Sequence, residues 1–193
     1  MVEDASVLLE RLRSPSRVTV LTGAGVSAAS GIPTFRGEEG LWKEHDPKEL
    51  ATARAFREDP ERVWEWYEWR REKVAQVCPN EAHLVLARWS QSRDRFRVIT
   101  QNVDGLHEEA GTQGVIRLHG SLWEVSCWND CPGSPASWTD TTVPFPELPP
   151  RCEECGGMVR PNVVWFGEGL DPERLRAARD ALRCDVFFSV GTS

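Results

Sequence analysis

The 193-residue chain is short of several things, and each shortage narrows what the protein can be. Lysine occurs only at Lys43, Lys48 and Lys73, and 23 Lys plus Arg stand against 30 Asp plus Glu, a formal net charge of −7. Nucleic-acid binding is disfavoured, because neutralising phosphates needs a clustered basic face. No apolar run approaches the ~18 residues of a membrane-spanning helix, so no membrane partner is expected. Glu3 and Asp4 stand where a secretory leader would be basic, and no long apolar stretch follows them. The cytoplasm is the expected location. In that compartment six cysteines suit metal binding better than disulfides.

What is present is strand–helix alternation. Residues 5–13 carry an amphipathic helical pattern, and residues 17–22 form a β-branched strand. That strand runs into Gly23-Ala-Gly25 and a small-residue helix through Ser30, which Gly31 and Pro33 stop. Asp46-Pro47, Asp59-Pro60 and Asp171-Pro172 each set an N-cap acid before a first-turn proline. A helix is expected from Pro79 through Trp89. Further strands are expected over residues 96–101, 115–118, 162–166 and 185–190, with a helix over 171–183. Alternation of this kind implies an α/β fold with a parallel sheet.

Gly23-Ala-Gly25-Val-Ser-Ala28 matches G-x-G-x-x-A between a strand and a helix, the arrangement that cradles a pyrophosphate on backbone N–H groups. A ligand-free turn gives the same pattern about as often. No strand ending in an acid follows ~20 residues on, as an ordinary dinucleotide fold would have. Instead comes Gly31-Ile-Pro-Thr-Phe-Arg-Gly37, whose Arg36 could pair with phosphate and whose Phe35 could cover a ribose. Thr100-Gln-Asn-Val-Asp-Gly-Leu-His107 puts polar groups at a strand end, the side on which open α/β sheets bind ligands. Turn formation and helix capping would use Asn102 and Asp104 equally well. His119 ends the next short strand and has the chemistry of a general base near neutrality.

Residues 127–155 are proline-rich and aperiodic, a module that needs a staple. Cys127-x3-Cys131 and Cys152-x2-Cys155 suit a closed tetrahedral zinc site, structural because no position is left open. Cys78 and Cys184 have no such partners and are expected to be small buried hydrophobes.

Together the segments 22–27, 31–36, 100–104, 118–120, 163–168 and 191–193, with the four cysteines, resemble the sirtuins in content and order. The resemblance implies a Rossmann-like parallel sheet with a small zinc-binding module and a helical insert. The α/β part would span about 1–36, 79–122 and 162–193, and a small domain would combine the insert of about 37–78 with the zinc module of about 123–161. It further implies an NAD-dependent protein-lysine deacylase that releases nicotinamide and O-acyl-ADP-ribose, acts on acyl-lysine proteins and carries one structural Zn²⁺. Gly23, Ala24, Gly25, Ser27, Thr34, Phe35, Arg36, Trp42, Gln101, Asn102, Asp104, Gly191, Thr192 and Ser193 would hold NAD. His119 would accept the proton of a ribose hydroxyl, and Val163, Val164, Trp165, Phe166 and Gly167 would hold the substrate backbone by strand addition.

Thr34 stands where many sirtuins have Asp, and Tyr67-Glu-Trp-Arg70 with Ala51 is similar to the class III, desuccinylase and demalonylase branch. At i,i+3 on a helix Tyr67 and Arg70 share a face and could bind a carboxylate-tipped acyl chain. A core tyrosine and a surface arginine would give the same spacing. Sirtuins continue beyond Gly191-Thr-Ser193, so a fragment with an aggregation-prone edge at residues 185–190 and poor activity is expected. Protein ADP-ribosyl transfer and non-catalytic binding of acyl-lysine or NAD are the competing functions.

Overall fold

The computed structural model describes residues 5–13, 16–34 and 46–192. Its first sheet is parallel, with strands in the order β3 (Val115–Arg117), β2 (Phe96–Thr100), β1 (Val18–Thr22) and β7 (Val186–Val190). A near-continuous run of apolar and β-branched residues suits a strand covered on both faces. Val18, Val20, Phe96, Val98 and Val186 are accordingly buried, and Leu86 packs against them. Helix α1 is Ala5–Arg13, as its periodicity requires.

The glycine turn leads into two short 3₁₀ turns, Ala24–Val26 and Ala28–Ser30, where a longer helix was expected. Gly31, at φ 92°, ends them in the left-handed region. The chain resumes with α2 (Pro47–Leu50), α3 (Ala53–Glu58) and α4 (Pro60–Ala75). The Asp-Pro pairs act as expected: Asp59 accepts from the Arg62 N–H at 3.1 Å, and Asp171 from the Arg174 N–H at 2.8 Å. Helix α5 runs Glu81–Ser92 and starts two residues later than expected, because Asn80 supplies the cap. Two short helices complete the set, α6 (Leu106–Glu109) and α7 (Pro172–Ala181).

A second, antiparallel sheet has the order β5 (Trp138–Thr139), β4 (Gly120–Cys127), β6 (Val159–Val163). Strand β4 was not anticipated. Strand β6 lies earlier than the expected 162–166, and residues 164–166 leave it with their N–H groups bonded to His119, Glu168 and Ala51. Pro161 is tolerated inside β6 because the strand is an edge, with Pro161 opposite Val125.

A second apolar cluster joins the helical insert to this sheet through Phe56, Trp64, Tyr67, Val125, Val159 and Trp165. Phe56 meets Trp128 at 4.9 Å and Trp165 at 5.4 Å between ring centroids. The buried Arg71 of α4 donates to the carbonyls of Leu122, Asp140 and Thr142 and so fastens the insert to the cysteine module. Cys78 is exposed and Cys184 half-buried, which corrects the expectation that both are buried; neither joins an apolar cluster. Among the described residues no helix is long and apolar enough to cross a membrane.

Candidate active site

In the parallel sheet, register alone gathers the site. Thr22 pairs with Thr100 and with Val190, and Thr100 pairs with Arg117, so four strands end at one level. The segments that follow bring Gly23, Ala24, Gly25, Gln101, Asn102, His119, Gly191 and Thr192 into the wall of a cleft of about 640 Å³. This is the carboxyl-end crevice of an open α/β sheet.

The glycines here serve close packing as much as ligand approach. A Cβ on Gly23 would stand 2.7 Å from the Gly191 carbonyl oxygen, and one on Gly25 2.8 Å from the Gly191 Cα. The Gly25 N–H donates to that same carbonyl at 2.9 Å, so it is already committed inside the protein. The element that follows is a pair of 3₁₀ turns where one small-residue helix through Ser30 was expected.

His119 is half-buried and lines the cleft. Its Nδ1 lies 3.0 Å from the Gln101 carbonyl oxygen, which can only accept. Nδ1 therefore carries the proton, and Nε2 is left with a lone pair, the form a general base needs. Gly120, at φ 80°, turns the chain directly after it, and an added Cβ would collide with the Asn162 carbonyl.

Behind the cleft lies a buried polar layer. Asn102 donates through Nδ2 to the Gly23 carbonyl and to Ser27 Oγ, both at 3.1 Å. Ser27 Oγ donates to Asp104 Oδ2 at 2.7 Å, and Asp104 Oδ1 accepts from the Leu106 N–H at 3.0 Å. Ser27 thus braces the site from one layer down and does not line the cleft. Asp104 borders a smaller cavity of about 30 Å³, which shares Ala24, Arg70, Asn102 and Val103 with the cleft.

His83 and His107 belong to this layer and were missed as functional candidates. Their rings meet edge-on at 4.8 Å, and His107 Nε2 sits 2.9 Å from Thr22 Oγ1. No short motif marks the pair, because their partners lie far off in sequence.

The cleft is also lined by Ala51, Tyr67 and Arg70, with Val163, Val164, Trp165, Phe166 and Gly167. Tyr67 and Arg70 do share one face of α4, and the Arg70 guanidinium carbon lies 5.4 Å from the Tyr67 ring centroid. Desolvation pushes the Tyr67 phenol above its ordinary pKa and holds the Arg70 guanidinium below its own, while the attraction between the two groups opposes both shifts. Trp66, Val103, Glu168 and Leu170 also line the cleft and went unnoticed. Val103 and Glu168 lie within the quoted segments 100–104 and 163–168, and Trp66 had a signal at i,i+4 from Arg70 on the same helix.

Strand addition along 163–167 meets a restriction. The Val164 N–H already donates to the His119 carbonyl, the Phe166 N–H to Ala51 and the Trp165 N–H to Glu168 Oε2. Phe35, Arg36, Trp42 and Ser193 lie outside the described residues.

The four cysteines converge. Their sulfurs all lie within 4.8 Å of one another, with Cys127–Cys155 at 3.6 Å and Cys131–Cys152 at 3.8 Å. Those spacings exceed a disulfide bond of ~2.05 Å. They match the edge of about 3.8 Å in a tetrahedron of sulfurs ~2.3 Å from zinc. The Gly157 N–H donates to Cys155 Sγ at 3.4 Å, as suits a thiolate. The residues fit a closed zinc site with no coordination position for a substrate.

Fold and cleft together define a dinucleotide-type α/β protein whose antiparallel sheet carries a four-cysteine cluster that fits zinc. The chain belongs to the Sir2 family, whose pattern matches residues 23–193. It is 48% identical over 192 residues to the NAD-dependent protein deacylase 1 of Caldanaerobacter subterraneus subsp. tengcongensis, covering 98% of this chain and 77% of that protein. Among solved structures it resembles a Sir2 homolog–NAD complex, with a TM-score of 0.86, 46% identity and coverage of 99% and 73% of the two chains. It also resembles a Sir2 homologue mutant bound to 2′-O-acetyl ADP ribose, with a TM-score of 0.85, 47% identity and coverage of 98% and 75%.

Proposed function

We propose that the protein is an NAD-dependent protein-lysine deacylase that prefers acyl chains ending in a carboxylate, succinyl and malonyl over acetyl. The observation that carries this reading is a single cleft lined by the glycine turn, His119, Tyr67 and Arg70 together. Bound NAD supplies an activated ribose carbon with nicotinamide as its leaving group. Around it, Asn102 keeps the glycine turn in shape through the Gly23 carbonyl. The Gln101 carbonyl fixes the His119 tautomer, so that Nε2 can take a proton from a hydroxyl brought beside it. Arg70 offers charge and Tyr67 a phenol proton to an acyl carboxylate, and the small Ala51 leaves room for the chain. The products would be nicotinamide, free lysine and O-acyl-ADP-ribose.

His119→Ala tests the assignment. Turnover of NAD and an acyl-lysine peptide should fall ~10²–10⁴-fold, the usual cost of removing a general base, while NAD binding by calorimetry stays within a few-fold. A mutant with near-native turnover would take His119 out of the mechanism. ADP-ribose retained on protein without free lysine would favour ADP-ribosyl transfer.

A further inference from the structure

The buried Tyr67 hydroxyl has one side filled and one side open. Trp165 Nε1 lies 2.9 Å from Tyr67 Oη. An indole nitrogen can only donate, so the phenol oxygen accepts there and keeps its single proton for another partner. Among the described residues no hydrogen bond takes that proton. Tyr67 is 2% exposed and lines the cleft, so an acyl chain entering the cleft would come beside this side chain. A buried donor without an acceptor costs stability unless a ligand or water completes it.

Trp165 is itself held with care. Its backbone N–H donates to Glu168 Oε2 at 2.8 Å. Both Glu168 oxygens accept from Arg160, at 2.7 Å from Nη1 and 3.0 Å from Nη2. The same guanidinium stacks on the Trp165 indole, 3.7 Å from the ring centroid, and Nη2 also donates to the Val163 carbonyl at 3.1 Å. A planar fork that pairs and stacks at once is an arginine geometry that lysine cannot reproduce. Arg160 does a second thing. Glu168 borders the cleft, and its carboxylate would repel an anionic acyl chain if the paired guanidinium did not neutralise it.

We infer that Arg160 and Glu168 are positioning residues for acyl selectivity: they lock Trp165 so that its indole N–H fills the acceptor side of Tyr67 and leaves the phenol proton directed into the cleft, toward an acyl carboxylate. The inference rests on the carboxylate-preferring reading above and adds what aims the donor. A hydroxyl that accepts one hydrogen bond also donates a stronger one, by 10–30% in condensed-phase estimates.

The test is a double-mutant cycle of Arg160→Lys and Tyr67→Phe, with kcat and KM measured on succinyl-lysine and acetyl-lysine peptides. Lysine keeps the charge against Glu168 and loses the fork and the stacking. Arg160→Lys should lower the succinyl-to-acetyl ratio of kcat/KM about 3- to 10-fold, as expected for one misaimed hydrogen bond, and chiefly through KM. In the Tyr67→Phe background it should change that ratio no further, because the hydroxyl it aims is gone. Equal losses on both peptides, or the same drop in ratio with and without the Tyr67 hydroxyl, would overturn the inference. If Arg160→Lys does not fold, Trp165→Phe enters the same cycle, removing the indole N–H within the space of the ring. Arg70→Met separates the two levels. If it lowers both activities equally, the carboxylate reading fails; if it is selective while the cycle is additive, only the positioning role fails.

Discussion

His107 sits 81 residues beyond Val26 in sequence yet directly beneath the glycine turn, with Nε2 against Thr22 and Nδ1 buried without a hydrogen-bond partner among the described residues. With Thr22 donating to Thr100, the imidazole donates through Nε2, and a second proton on Nδ1 would have no acceptor. Burial first, and the neighbouring His83 second, push His107 down to about 4 from 6.5. The unfolded chain binds this proton more readily than the folded one. The stability conferred by neutral His107 is therefore complete above pH 6.5 and is lost as the pH falls toward 4, about 3 kcal/mol in all. Urea unfolding at pH 7 and pH 4.5 should show that loss, and His107→Gln, which keeps a donor for Thr22, should flatten it. An unchanged pH slope in the mutant would contradict the assignment. At this scale the sequence was legible in which side chains meet: His119, Asn102, Tyr67 and Arg70 line one cleft. Trp165 and Arg160 act through partners that topology supplies: Tyr67 is 98 residues from Trp165, and Arg160 needs the turn after β6 to meet Glu168.

Strands β1, β2 and β7 were readable because each is a compact β-branched or aromatic run bounded by turn residues. Strand β4 was not, since Gly120 to Cys127 overlaps the histidine loop at one end and the first metal-binding cysteine at the other. It links the two units: its start carries Gly120 beside His119, and its end carries Cys127. Zinc held at that end should therefore stabilise more than its own loop. Structural zinc contributes ~10–16 kcal/mol in zinc-finger peptides, so the loss of one ligand is severe. Metal analysis should find one zinc per chain. Cys152→Ala should bind less than one zinc, melt lower and become protease-sensitive between residues 127 and 155. A well-folded, zinc-free native protein would contradict this. The edge β7 exposes Phe187 and Val190, as its apolar pattern foretold.

At the scale of the whole molecule, the described residues form two apolar cores, and the cleft draws on both parts: the parallel sheet contributes the glycine turn and His119, and the insert contributes Ala51, Tyr67 and Arg70 beside residues 163–167. The parallel sheet could be read from the sequence because it is built from local runs. The way the insert packs on the antiparallel sheet could not, because Arg71 reaches 69 residues to Asp140 and Trp64 reaches 95 residues to the Val159 carbonyl. Against a net charge of −7, the Arg70 guanidinium in the cleft wall supplies a local positive charge for an anionic acyl group. The most direct measurement is kcat/KM of native protein and Arg70→Met on succinyl-, malonyl- and acetyl-lysine peptides. Native protein should favour the acidic chains about 10- to 200-fold, the worth of a charge-assisted hydrogen bond of ~1.5–3 kcal/mol. Arg70→Met should collapse that preference while deacetylation holds or improves. Equal losses on all three peptides would make Arg70 a structural residue and contradict the account.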